Sequence, residues 1–154
     1  MALFLVQHGK SLPKEIDPEK GLSEEGKNEV EGVAVQAKEY GLMVSAIKHS
    51  GKKRARETAE IFAGFLAPRG GVEEMGGLAP LDDVTRLDLK AAENLMLVGH
   101  LPFMEKLASY LITASSDRPP VIKFQNGGIV CLDRDAEADS WFIKWTLFPK
   151  LSTS

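Results

Sequence analysis

The sequence predicts an α/β fold, a three-layer α/β/α sandwich with a mostly parallel central sheet and a C-terminal β-hairpin. Three observations carry this reading. Ala2–Val6 is a continuous apolar run, as expected of a strand buried on both faces of a parallel sheet, Val44–Lys48 reads as a second strand and Asn94–His100 as a third, buried one. Each is followed by a segment whose apolar residues recur at helical spacing, and this alternation of strand and helix favours a sheet covered by helices on both sides. The chain then changes character: Gly128–Leu132 and Trp141–Leu147 flank a charged turn from Asp133 to Asp139, the pattern of a hairpin.

Taken in order, the first strand ends at Gln7-His8-Gly9, and the chain turns polar from Ser11 to Gly21, with Pro13 and Pro18. Ser23 supplies an N-cap for a helix with Val30, Val33, Ala34 and Ala37 on one face, stopping near Gly41. After the second strand, Ser50-Gly51 makes a turn, and Ala55, Ala59, Phe62 and Leu66 mark the inward face of a second helix, closed by Pro68–Gly71. Val72–Pro80 reads as a short strand and loop, and Asp83–Ala92 as a modest helix. Pro102 is expected at the first position of a third helix, with Met104, Leu107, Ala108 and Leu111 inward. The aromatic edge strand at the end of the chain is open either to a second copy or to the tail from Pro149 to Ser154.

The chain has 154 residues, 44% of them apolar, a length and composition suited to one domain over residues 1–154. A net charge of −3 removes the broad basic surface of a nucleic-acid or membrane-surface binder, so an anion site must be local. Cys131 is the only cysteine and cannot form an internal disulfide, and no Cys/His cluster has metal-ligand spacing. The run Ala2–Val6 is far too short for a membrane span. A soluble, cytoplasmic protein without a metal is expected.

In open α/β sheets, ligands bind outside the carboxyl ends of the strands. Gln7-His8, Ser50-Gly-Lys-Lys-Arg-Ala-Arg56 and Gly99-His100 all fall there. One histidine after an apolar strand is usually a packing residue; two, with a basic cluster between them, point to a site. Lys52, Lys53, Arg54 and Arg56 crowd the first turn of a helix, where the macrodipole disfavours each cation by about 0.3–1 kcal/mol. A bound anion compensates for this, and helix-start amides with a guanidinium suit phosphate. The inward face places Arg54 beside the buried edge and leaves Lys53 and Arg56 to solvent. His49, Trp141, Phe142 and Trp145 read as packing residues, and Asn126-Gly-Gly128 as a small polar turn near the site.

Leu5-Val-Gln-His-Gly9, Ser50-Gly-Lys-Lys-Arg-Ala-Arg-Glu-Thr58 and Val98-Gly-His-Leu-Pro102 together resemble the signature segments of the histidine phosphatase superfamily, in particular its short SixA-type phosphohistidine phosphatase branch. The similarity extends to Leu22–Gly26, Leu78–Pro80 and the closing hairpin. It implies a phosphoglycerate mutase-like fold, with His8 as the nucleophile that takes the phosphoryl group, Arg54 as its clamp and His100 as a second histidine stabilising developing charge. It further implies that Gln7, Gly9, Lys10, Ser11, Ser50 and Leu101 line the substrate site. No cofactor is implied. The expected substrate is a phosphohistidine-containing protein or a small phosphoramidate, and the product inorganic phosphate.

Two departures stand out. Gln7 occupies the place of the arginine in the usual Arg-His-Gly, which removes a charge and a bidentate fork; Lys10 is the nearest substitute in sequence. Gly76-Gly77 stands where related sequences often carry a glutamate, and Asp82 and Asp83 read as loop or N-cap residues. Without a general acid, an imidazole leaving group, with a pKa of about 6.5, is easier to expel than an alkoxide. That leaves a phosphohistidine phosphatase, a non-catalytic or weakly active module that binds phosphate or phosphohistidine, and, weakened by the short chain and missing acid, a sugar-phosphate mutase or alcohol phosphomonoesterase.

Overall fold

Four parallel strands and an antiparallel pair form the open sheet of the computed structural model, which describes residues 2–150. The strands are β1 (Ala2–Gln7), β2 (Ala46–His49), β3 (Val72–Glu74), β4 (Leu95–Gly99), β5 (Ile129–Asp135) and β6 (Ser140–Leu147). Their order across the sheet is β3-β2-β4-β1-β5-β6, with β5 antiparallel to β1 and β6 antiparallel to β5. The helices are α1 (Glu24–Glu39), α2 (Lys53–Leu66) and α3 (Phe103–Thr113).

Strand alternation divides the core in two. Phe4, Val6, Ile47 and Val98 face α1 and α2, meeting Val30, Val33, Ala59 and Phe62. Leu3, Leu5, Leu97 and Leu132 face α3, meeting Phe103, Met104 and Leu107. This is the expected three-layer sandwich. Each such aliphatic or aromatic side chain, fully withdrawn from water, contributes about 1.5–3 kcal/mol, so both layers hold the sheet rigidly beneath the strand ends.

Ser23 caps α1 as the sequence indicates, its hydroxyl accepting from the Gly26 amide at 3.0 Å. Elsewhere the boundaries shift. The second strand begins at Ala46 rather than Val44 and runs on to His49. The expected helix over Asp83–Ala92 is a single 3₁₀ turn, Val84–Arg86, begun by Asp83, whose carboxylate accepts from the Thr85 amide. Asp88 likewise spends its carboxylate on the Lys90 amide two residues on, local bonding that competes with a helix. Pro102 precedes α3 rather than opening it, its carbonyl accepting the first helical bond from Lys106. The hairpin turn is shorter than the expected Asp133–Asp139, because β5 continues to Asp135 against Ser140 with a bulge between Cys131 and Leu132. Trp145 packs on Phe4 with ring centroids 6.0 Å apart, and Trp141 lies under Arg134, whereas Phe142 is 45% exposed. Of the tail weighed as a cover for β6, residues 151–154 lie outside the described residues. Among the described residues, no helix is long and apolar enough to cross a membrane.

Candidate active site

The carboxyl ends of β1, β2 and β4 bring His8, the Ser50–Arg54 segment and His100 together. Because β1 and β4 are parallel neighbours in register, with Gln7 opposite Gly99, the histidines that follow them emerge side by side. Their ring centroids are 5.0 Å apart, with the planes inclined by 53°.

His8 is held from several sides. Its amide donates to the Gly99 carbonyl at 3.0 Å, and its carbonyl accepts from Asn126 Nδ2 at 2.9 Å. The Gly127 amide bonds the Gln7 carbonyl at 2.8 Å, so the small polar turn before β5 clasps the end of β1. On the other side, the Gly9 amide donates to Thr58 Oγ1 at 2.9 Å, and that hydroxyl donates to the Arg54 carbonyl at 2.7 Å. Buried Thr58 thus ties the His8–Gly9 loop to the first turns of α2, a role not foreseen from the sequence, although the motif ends on it. Gly9 allows this approach: a Cβ there would sit 2.8 Å from Val30 Cγ2.

The His8 ring is oriented by its own backbone, with Nδ1 2.7 Å from the Gly9 carbonyl. A carbonyl only accepts, so in the neutral ring the proton resides on Nδ1 and Nε2 carries the free lone pair. Burial, followed by the charges of Arg54 and Lys20 and partly offset by the Gly9 carbonyl, lowers the His8 pKa from 6.5 to about 4. His100 is 1% exposed. Burial, then His8, Arg54 and Lys52, lower its pKa to about 3. Both imidazoles are therefore neutral at pH 7, and the charges that act on them are cationic. Arg54 is half-buried, and burial depresses its pKa; among the described residues no carboxylate pairs with it. A guanidinium desolvated without a counter-ion, beside two neutral imidazoles, makes a place for an oxyanion.

Of the other sequence candidates, Ser50 and Gln7 lie at the site and the rest turn elsewhere. Lys10, the nearest substitute for the missing arginine, turns to Glu25 at 2.8 Å and Glu29 at 3.7 Å. After Arg54, the cation that acts on His8 is Lys20, in the loop before α1, which sequence distance gave no reason to choose. Lys53 is not left to solvent but pairs with Asp17 at 2.9 Å, fastening that loop to α2. Arg56 is exposed and lies 3.8 Å from Glu60. Ser11 bridges to Leu22 across the loop, and Leu101 packs into the α3 layer. Ser50 places its hydroxyl 2.6 Å from His100 Nε2. Gln7 lies at the strand end with Oε1 buried and unpartnered. His49 is buried and accepts from the Gly51 amide, a packing role as expected. Asp82 and Asp83 spend their carboxylates on the Ala79 and Thr85 amides. A cavity of about 600 Å³ at the opposite end of the sheet, lined by Phe4, Leu42, Asn94 and Trp145, contains neither site histidine.

No family model matches the chain, and no curated protein sequence matches it significantly. Solved structures do. The protein histidine phosphatase SixA in complex with tungstate superposes with a TM-score of 0.81 at 22% identity, over 97% of each chain. A protein of Agrobacterium tumefaciens bearing the SixA name gives 0.71 at 25% identity, over 95% of this chain and 96% of that one. A mycobacterial glucosyl-3-phosphoglycerate phosphatase in complex with VO3 gives 0.75 at 15% identity, over 94% of this chain and 97% of that one. The fold is that of the phosphoglycerate mutase-like histidine phosphatases, and SixA phosphohistidine phosphatases are among its structural neighbours.

Proposed function

We propose that the chain is a phosphohistidine phosphatase that works through a phosphohistidine enzyme intermediate, with His8 as nucleophile. The observation that carries this is the His8 ring: Nδ1 is committed to the Gly9 carbonyl, and Nε2 is left bare and unprotonated beside Arg54 and His100. The tungstate and VO3 complexes of structural neighbours, both of phosphate-like oxyanions, support the same reading.

In the first step the Nε2 lone pair forms a bond to phosphorus as the bond from phosphorus to the substrate nitrogen breaks. The leaving imidazole keeps that electron pair and takes a proton from solvent. In the second step water attacks phosphorus and gives up a proton, and the bond from phosphorus to Nε2 breaks, its electron pair returning to Nε2 as inorganic phosphate departs. Arg54 clamps the phosphoryl oxygens, and His100 meets the charge that develops on them; such transfers depend chiefly on positioning and electrostatic stabilisation. Neither step uses a protein acid, in keeping with the capping duties of Asp82 and Asp83 and with a nitrogen leaving group. The chemistry needs no metal. The substrate is a phosphohistidine-bearing protein or a small phosphoramidate.

Gln7 favours a second reading. A carboxamide replaces a charged fork, removing a positive charge from the phosphoryl site, so the pocket could bind phosphohistidine without turning it over. Phosphate release from a phosphohistidine-bearing protein in the presence of EDTA separates the two. Release by the wild type that disappears in His8→Ala establishes the enzyme. No release by the wild type, with release by Gln7→Arg, establishes the binding module.

A further inference from the structure

We propose that Ser50 is a positioning residue that holds His100 in the Nδ1–H tautomer, so that Nδ1 donates to an oxygen of the phosphoryl group brought to His8. The inference deepens the proposed function and rests on His8 being the phosphoryl acceptor.

Ser50 Oγ lies 2.6 Å from His100 Nε2. The same oxygen receives the Lys52 amide at 3.4 Å. Oγ keeps its hydrogen and a second lone pair, so the contact alone fits either sense; in the proposed arrangement Oγ, already accepting from the backbone, gives its hydrogen to Nε2, which is then the bare nitrogen. A neutral imidazole has one N–H, so the proton resides on Nδ1. His100 is neutral at pH 7 because it is buried among Arg54, Lys52 and the His8 ring. Nδ1 is buried and has no partner among the described residues. A buried N–H without an acceptor is costly, and here it belongs to a ring 5.0 Å from the nucleophile's ring. An oxygen of the transferring group satisfies it. The opposite tautomer would leave a lone pair there, repelling the anion that Arg54 attracts.

The two histidines are therefore wired in opposite senses. The Gly9 carbonyl takes the Nδ1 proton of His8 and exposes a lone pair for attack. The Ser50 hydroxyl occupies Nε2 of His100 and leaves an N–H for the developing oxyanion. Two imidazoles of the same charge thereby acquire different roles.

The test is a two-bond proton–nitrogen correlation spectrum of the full chain at pH 7, with His100→Gln identifying the His100 signals, alongside titration with inorganic phosphate. In the wild type, His100 shows a protonated Nδ1 and a bare Nε2. In Ser50→Ala this pattern gives way to a mixture or to Nε2–H, and phosphate binds about 10- to 100-fold more weakly, the loss of one hydrogen bond to a charged group. Ser50→Thr keeps the hydroxyl and restores both, and it remains informative should the alanine variant fail to fold. An Nε2–H signal in the wild type overturns the proposal, as does an Nδ1–H signal that persists in folded Ser50→Ala. The spectrum reads the tautomer whether or not His8 turns over substrate. A wild type that shows the Ser50-dependent tautomer and never transfers a phosphoryl group contradicts the reading of His8 instead.

Discussion

Mild acid destabilises this fold through His8, and the size of the effect follows from where its ring sits. The unfolded chain protonates His8 near 6.5, whereas burial and neighbouring cations hold the folded chain's value at about 4. Above pH 6.5 neither state binds the proton, and the folded protein carries no penalty. As pH falls below 6.5, the unfolded chain takes up a proton that the folded one refuses, so stability drops by about 1.4 kcal/mol per pH unit until the folded ring titrates near 4. At pH 4.5 the loss from His8 alone is about 2–3 kcal/mol, a substantial share of the 5–15 or so typical of a domain. Urea unfolding at pH 7 and pH 4.5, on the wild type and on His8→Gln, isolates it, because other titrating groups are common to both proteins. His8→Gln should lose about 2–3 kcal/mol less than the wild type over that interval. Equal losses would show that His8 is not desolvated and that its neutrality at the site has been misread. The kinetic counterpart is turnover that persists down to about pH 5 before the nucleophile is protonated.

Three further outcomes follow from the geometry. Thr58→Val strands the Gly9 amide without its buried acceptor and should lower stability by about 1–3 kcal/mol; an unchanged urea midpoint would mean that Thr58 does not tie the loop to α2. Gly26→Ala drives a Cβ into the Lys10 carbonyl oxygen where the loop after β1 crosses α1, and should cost about 1–3 kcal/mol by the same assay, whereas Gly32→Ala, with open space around it, should not destabilise. Lys20→Ala removes a positive charge that holds the His8 pKa down, so an NMR titration of the ring should show the value rising from about 4; a fall or no change would remove Lys20 from the site.

What could be read from the sequence was whatever depends on local pattern. Continuous apolar runs identify β1 and β4, because strands buried on both faces leave no polar alternation, whereas β2 alternates, with Ile47 and His49 buried; parallel register then forces His8 and His100 to one edge. Arg54 was separable from its basic neighbours because helical spacing alone places it beside Ala55 and Ala59 at the buried face. Lys53 and Lys10 were not legible, since their partners Asp17 and Glu25 come from loop and helix packing rather than from neighbouring sequence. Lys20 reaches His8 electrostatically for the same kind of reason: the path of the loop before α1 is set by the Asp17 clasp on Lys53 and the Gly21 amide. The helix expected at Asp83–Ala92 failed because Asp83 and Asp88 bond nearby amides and halt the turn. The pairing of Ser50 with His100, 50 residues apart, depends on tertiary placement and left no trace in local pattern.

The central claim is that His8 accepts a phosphoryl group. Rapid mixing of the wild type with a phosphohistidine-bearing peptide in EDTA, followed by an alkaline quench that preserves phosphorus–nitrogen bonds and mass spectrometry of the digested chain, tests it most directly. A phosphoryl group on the peptide containing His8, present within the first turnover and missing in His8→Ala, is the result this account predicts. Release of phosphate with no such adduct at any time, or an adduct that survives in His8→Ala, would contradict it.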